Sequence, residues 1–365
     1  MKKLYLILAV AVTGIGVALT YYLFEAAVHS SINFIWNDVF NTDTNRLLVL
    51  PLCLALSLVY FGLQHYLDKK SEHTTTHGLA ETPNPTIANY LKVLLIGFFS
   101  LLAGASLGPE AILVPACMIV GGFIGLKLFK SDKEAVKLLG AAGFIALFAA
   151  FFNSFIVGLL SVLIITKQAK VKLSAPLLLM AVVASGASTL TLAVVKGHGL
   201  IQFPPMQWTL TLNDFLAVGI LFILGAAAIY LLGSLHTGIT KLYLPFIEKH
   251  AWWVNALIAS AGLSAIYLIG GPLIEFTGNE SIQPLIDQAD ILGVTGLLLI
   301  ILAKILAIAW SKAIGYRGGL IFPSLFIVAA LILLIDQYID TNFVYGMIAA
   351  LAGMFVADSK VKILL

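Results

Sequence analysis

Ser106-Leu107-Gly108-Pro109-Glu110-Ala111 sets a carboxylate at a Gly-Pro turn between two long apolar runs. Apart from Glu110, residues 94–126 carry no charged side chain. An acid at membrane depth costs about 3 kcal/mol on insertion scales, so such a residue is a candidate functional site by default. Pro109 suits the first turn of a helix, where its missing N–H costs nothing. Glu110 then stands beside the positive end of that helix's dipole, where negative charge is stabilised. An anion-attracting helix start filled by a side chain that is itself an anion reads as a gate. The plainer alternative is a structural carboxylate bonded to backbone donors or to a lysine.

Composition gives this turn its setting. Of 365 residues, 60% are hydrophobic and 11% charged, with a mean hydropathy of +1.02. Soluble domains carry about 25% charged residues, so the chain is a polytopic membrane protein, read as all-α. Apolar stretches long enough to span or half-span a bilayer lie near 4–24, 47–66, 90–107, 110–128, 135–166, 173–195, 213–235, 253–274, 291–310 and 319–335. A shorter one follows at 343–357. The widest polar gap, 67–89, reads as a loop or linker, and no polar segment could hold a soluble domain. The net charge of +3 is too small to argue for nucleic acid as a partner; the lipid bilayer is the partner that composition implies.

The distribution of charge sets an expected topology. Lys2 and Lys3 precede the first span, and Lys69 and Lys70 follow the second. Lys127, Lys130, Lys133 and Lys137 follow the fourth; Lys167, Lys170 and Lys172 follow the fifth. The positive-inside rule makes these clusters cytoplasmic, with the N-terminus inside and the chain in the plasma (cell inner) membrane. The first segment is read as a retained helix, since no clear small-residue cleavage site follows its apolar run. Cys53 and Cys117 fall inside spans and read as buried and inert. No metal-ligand spacing occurs, and no cofactor is expected. Ser154 and Ser161 lack a His/Asp partner set, and HExxH, GxGxxG and Walker patterns are missing, so an enzyme is not expected.

The run 135–166 lies between two lysine clusters. As one helix it would be roughly 45 Å long, too long for a simple span. A break at Asn153-Ser154 would make two half-helices, and such ends are tolerated only where protein buries them or they line a water-filled path. This favours a transporter or channel fold over a bundle of anchors. A weak internal repeat agrees: Gly140 to Ser154 resembles Gly346 to Ser359, each after a Gly/Pro-punctuated loop. Interrupted segments at matching positions of two halves mark midplane sites in inverted-repeat transporters, although small residues also recur at helix contacts generally. The halves are taken as 1–200 and 201–365.

The second loop, Gly315-Tyr316-Arg317-Gly318-Gly319-Leu320-Ile321-Phe322-Pro323-Ser324, offers a second site. Its glycines are expected to free the backbone so that amides at a helix start near Leu320 face an anion. Arg317 could raise the pore potential or be an ordinary snorkelling arginine. Lys304, inside an apolar span, could do the same or pair with backbone carbonyls.

These blocks resemble the CLC family of chloride channels and proton-coupled chloride exchangers. SLGPEA is similar to the family's gating-glutamate loop and puts Glu110 on the gate, with Gly108, Pro109 and Ala111 around the anion. GAAGFIALFAAFFNSF resembles the small-residue helix ending in Phe-Asn. Phe276 to Ile282 resembles the Gly-rich stretch of the second half. GYRGGLIFPS resembles the G-G-x-F-x-P-S loop, which implies anion-binding amides at Gly318, Gly319, Leu320 and Ile321. The resemblance implies inverted repeats, a homodimer, and passage of chloride or a similar small anion. Departures are plain: residues 76–85 hold no Gly-Ser-Gly-Ile-Pro loop, Leu163 to Thr166 hold no proton-relaying acid, and no last pore helix with an anion-binding tyrosine follows. Channel-like anion passage without proton exchange is therefore expected; a secondary transporter of another ion and a non-transporting truncated relative are the rivals.

Overall fold

The structure, a computed structural model, describes residues 2–42, 44–68, 84–129, 132–168, 173–197, 212–247 and 249–363. Its helices are α1 (Lys2–Ile32), α2 (Val49–Leu67), α3 (Ile87–Leu102), α4 (Glu110–Phe129), α5 (Lys133–Phe151), α6 (Phe155–Gln168), α7 (Ala175–Val194), α8 (Leu212–Ile247), α9 (Trp252–Gly270), α10 (Ile282–Ile314), α11 (Ile321–Asp336) and α12 (Phe343–Val361). A π-helical turn, Asn33–Val39, continues α1. Among the described residues nine helical segments are long and apolar enough to cross a membrane, and α3, α6 and α11 are shorter apolar helices. Lys69, Lys70, Lys130, Lys170 and Lys172 of the topology argument, and most of the 76–85 stretch, lie outside the described residues.

The expected break in the long run is present. α5 stops at Phe151, Asn153 takes a left-handed φ of 43°, and α6 starts at Phe155. Asp132 caps the other end of α5, its Oδ1 accepting the Ala135 amide at 3.1 Å. Its repeat counterpart departs from the expected likeness: α12 runs straight through Asp358-Ser359 to Val361. Here no Asn takes the left-handed turn; Lys362 ends the helix instead, at φ 55°.

Residues cluster into two compact units, each discontinuous in sequence. The first comprises Met1–Ser31, Ser71–Phe98 and Ala111–Gln202. In it α4 and α5 pack through glycines: a Cβ on Gly121 would collide with the Leu139 carbonyl, and one on Gly143 with the Cys117 carbonyl. Such close approach of backbones is how helices associate in lipid, where no hydrophobic effect draws them together. The Ser188 hydroxyl of α7 donates to the Ala146 carbonyl at 2.7 Å, and Thr20 bonds Tyr90 at 3.0 Å. Tyr21, Phe148 and Phe151 meet edge to face, so these phenylalanines near the end of α5 are packing surface. On α1, Leu4, Leu8, Val12, Leu19 and Leu23 are exposed at helical spacing, an apolar stripe suited to lipid.

The second unit comprises Ile32–Lys70, Phe99–Glu110 and Phe203–Leu365. There α12 packs on α8 through Gly225, whose added Cβ would strike Ala350, and Gly353, whose Cβ would strike the Phe222 carbonyl. α10 is kinked at Gly293 (φ 57°) and ends on Gly315 in the left-handed region at φ 99°. Both glycines supply a conformation that other residues adopt at a cost. Glu110 and the loop before it belong to this unit, with α11 and the Gly315–Leu320 loop.

Gly143→Ala is expected to destabilise the detergent-solubilised chain by about 1–3 kcal/mol, since the new methyl overpacks a carbonyl that cannot swing aside. Gly140→Ala, whose Cβ would lie 3.7 Å from the Met118 carbonyl, should be neutral or slightly stabilising. Thermal unfolding of the two variants checks the contrast.

Candidate functional site: a carboxylate on a helix start

α11 begins without a cap of its own. Leu320 holds the N-cap position with no side chain able to accept, leaving the first amides of the helix unsatisfied. The acceptor comes from 212 residues away: Glu110 Oε1 takes the Phe322 amide at 3.0 Å. Glu110 is only 4% exposed, and its second oxygen, Oε2, has no hydrogen-bond partner among the described residues. A carboxylate is thus the N-cap of a buried helix, where charge-assisted hydrogen bonding and the helix dipole both favour a negative group.

The shortest amide bond is one residue beyond those expected. Leu320 precedes the helix; Phe322, its second residue, makes the 3.0 Å bond, as a capping acceptor usually requires, while the amide of Ile321, its first residue and one of those expected, also interacts with the carboxylate. The Gly319 amide departs from the expectation that it faces an anion, and Gly108, expected around the anion, is its partner. They bond each other, Gly108 N to Gly319 O at 2.8 Å and Gly319 N to Gly108 O at 2.7 Å, as an isolated antiparallel bridge. Pro109 has no N–H and immediately precedes α4, and Ala111 follows Glu110 in its first turn. Nor do Gly318 and Gly319 serve by adopting left-handed backbone, for neither has a positive φ. They serve by lacking a Cβ. One on Gly319 would lie 2.7 Å from Glu110 Oε2, one on Gly108 would overlap the same carboxylate, and one on Gly318 would strike the Leu107 side chain.

The loop carrying Glu110 is tethered along its length. Trp36 Nε1 donates to the Leu102 carbonyl at 3.0 Å, the Tyr267 hydroxyl to the Gly104 carbonyl, and Thr277 Oγ1 to the Leu107 carbonyl at 2.9 Å. The Ser106 amide donates to Ser311 Oγ at 3.1 Å. The Gly-rich stretch singled out in the second half, Phe276 to Ile282, is therefore a brace for the loop that carries Glu110. Phe276 at φ 52° and Gly278 at φ 87° shape it.

The two buried cations have definite partners. Lys304, fully buried, donates to the carbonyls of Ile274 at 3.0 Å and Phe276 at 2.7 Å and lies over the Phe326 ring. Of its two expected roles, pairing with carbonyls is the one the geometry contains. Arg317 does not snorkel: its Nη2 meets Asp68 Oδ2 at 3.1 Å with both side chains buried, and its amide donates to Ser100 Oγ at 2.8 Å. Beside it, the Tyr60 hydroxyl bonds the Gly315 carbonyl at 2.8 Å, and Tyr316 stacks on Tyr60. Asp68 was not singled out from the sequence because it opens a polar gap. Lys312 was also missed; its Nζ reaches the Gly318 carbonyl at 3.4 Å, in the last turn of α10.

Known proteins place this geometry. A family model described as voltage gated chloride channel matches residues 76–362, which include both site loops. The YfeO proteins of Escherichia coli O139:H28 (strain E24377A / ETEC) and Shigella flexneri, assigned by name to ion transport, are each 26% identical over 268 residues. These matches cover 71% of this chain and 60% of each relative, so the chain spans 60% of the length of the curated relatives it matches. Among solved structures, a slow cyanobacterial Cl−/H+ antiporter aligns with TM-score 0.73 at 17% identity, covering 97% of this chain and 94% of that one. A CLC-type fluoride/proton antiporter aligns with TM-score 0.69 at 18% identity, covering 97% and 89%. At these identities the structural likeness speaks for the fold. With the family model spanning most of its length, the chain belongs to the voltage-gated chloride channel family and has the CLC fold.

Proposed function

We propose that the chain passes small monovalent anions, chloride first, across the membrane, with Glu110 as the gate. The carrying observation is the bond from the Phe322 amide to Glu110 Oε1 at 3.0 Å. A helix start is a ready anion site, and here a tethered anion fills it. When Glu110 is protonated or displaced, the same amide is offered to a free anion. Binding by one helix start without a full set of countercharges is strong enough to admit an ion and weak enough to release it. Leu320 and Ile321 immediately precede the donor, and the Gly108–Gly319 bridge joins the loop of Glu110 to the loop before the helix. Lys304 and Arg317 contribute to the pore potential in this reading, while their partners hold them in place.

The further reading is channel-like passage, in a homodimer of the inner membrane with the N-terminus inside. Moving protons across needs titratable groups through the low-dielectric core. Past the Asn153 turn, the Leu163–Thr166 stretch of α6 offers only aliphatic carbons and Thr166, whose hydroxyl donates to the Leu163 carbonyl at 3.0 Å. The neighbouring folds named as proton antiporters favour the opposite outcome, which makes proton movement a discriminating measurement.

In proteoliposomes, Glu110→Gln and Glu110→Ala should raise chloride flux and flatten its dependence on pH; two variants as pH-sensitive as the parent would remove Glu110 from the gate. Gly319→Val pushes the carboxylate off the Phe322 amide and fills the anion's space. Chloride affinity measured by calorimetry should fall by about tenfold, the loss of roughly one hydrogen bond to a charge. Unchanged affinity in a folded Gly319→Val chain would refute the site. A chloride gradient imposed at equal pH should drive no sustained proton movement, whereas uphill proton flow that stops with the gradient would establish exchange.

A further inference from the structure

Most charged groups around the gate are held by a definite partner. Arg317 is closed on Asp68, Arg46 on Glu275 at 2.6 Å, and Lys304 on two carbonyls. Held more loosely among the described residues are Glu110, with Oε2 unsatisfied, and Lys312, whose bond to Gly318 O is long at 3.4 Å; Arg317 keeps Nη1 unsatisfied but is anchored through Nη2. The two are neighbours through the glycine pair. Lys312 reaches the carbonyl of Gly318, and a Cβ on the next residue, Gly319, would lie 2.7 Å from Glu110 Oε2. They also interact electrostatically. An ammonium is a compact point charge on a flexible stem and can follow an anion over a few ångströms.

We infer that Lys312 is the counter-charge of whichever anion occupies the start of α11, the Glu110 carboxylate in one state and the transported ion in the other. This rests on Glu110 being the gate. With Glu110 ionised, the four groups Asp68, Arg317, Glu110 and Lys312 sum to zero. Protonation or departure of the carboxylate leaves one uncompensated positive charge in a poorly solvated place, where charge interactions are several-fold stronger than in water. A monovalent anion restores neutrality; a divalent anion would overshoot by one charge. Lys312 thereby favours exchange of one negative charge for another at constant local charge, and selects by valence as well as by attraction.

The test compares the full chain in nanodiscs, titrated calorimetrically with chloride and, separately, fluoride. In the Glu110→Gln background the protein should bind anion more tightly than the parent. Adding Lys312→Gln or Lys312→Met should weaken that binding by about tenfold or more, and adding Lys312→Arg should keep it within about threefold. Two neutral replacements of different shape guard against one failing to fold, with thermal unfolding of each variant as the control. Unchanged affinity in a folded neutral variant, or Lys312→Arg as weak as Lys312→Gln, would overturn the assignment while leaving the gate intact. Equal binding by Glu110→Gln and the parent would instead overturn the gate, and the counter-charge with it.

Discussion

The hydrogen bond between the Phe322 amide and Glu110 is the constraint on which the site is built. A helix beginning at Ile321 inside an apolar protein cannot turn to water for its free amides, and Leu320 offers no acceptor. Leaving such donors bare costs a few kcal/mol each in hydrocarbon surroundings. Glu110 alone would be costly for the opposite reason, as a charge without solvent. Each end of the bond makes the other tolerable. Because the partner of a helix start can be any anion, the bond is exchangeable in a way that an Arg–carboxylate pair is not.

Exchange requires that the helix start persist when the carboxylate leaves, and the surrounding contacts provide for that. Two backbone bonds between Gly108 and Gly319 join the loops without using the carboxylate. Thr277, Trp36 and Tyr267 each hold a carbonyl of the 102–107 stretch. Arg317 and Lys304 are fixed charges whose removal would strand Asp68 in one case and two carbonyls in the other. Buried pairs of this kind contribute little net stability, yet breaking one is costly, so they set a shape. These contacts fix the frame, and Lys312 lies beside it on one long bond.

Much of this was legible in the sequence. The lone acid in the apolar stretch 94–126 pointed to the loop that meets the start of α11, and the length of 135–166 located the break at Asn153. Periodicity and hydropathy carry such features because lipid imposes them locally. Details of contact were not legible. Spacing cannot show that Gly108 and Gly319 bond each other, since the pairing joins loops more than two hundred residues apart. The identity of the capping amide followed from where α11 starts, and helix starts shift by a residue or two in any reading of sequence. Asp68 was hidden by its polar neighbourhood, and Lys312 by lying next to a loop whose glycines and arginine drew the attention. The repeat was legible in composition at 140–154 and 346–359 and weaker in conformation, because only the first copy ends in a left-handed Asn.

The central claim is that one amide serves two anions in turn, and bromide, a heavy stand-in for chloride, tests it directly. Crystals of the parent and of Glu110→Gln grown in bromide would be compared by anomalous scattering. The account predicts a bromide peak within hydrogen-bonding distance of the Phe322 amide in Glu110→Gln and none at that amide in the parent while Glu110 caps it. Bromide beside an undisplaced Glu110 in the parent, or an empty Phe322 amide in the variant, would contradict it.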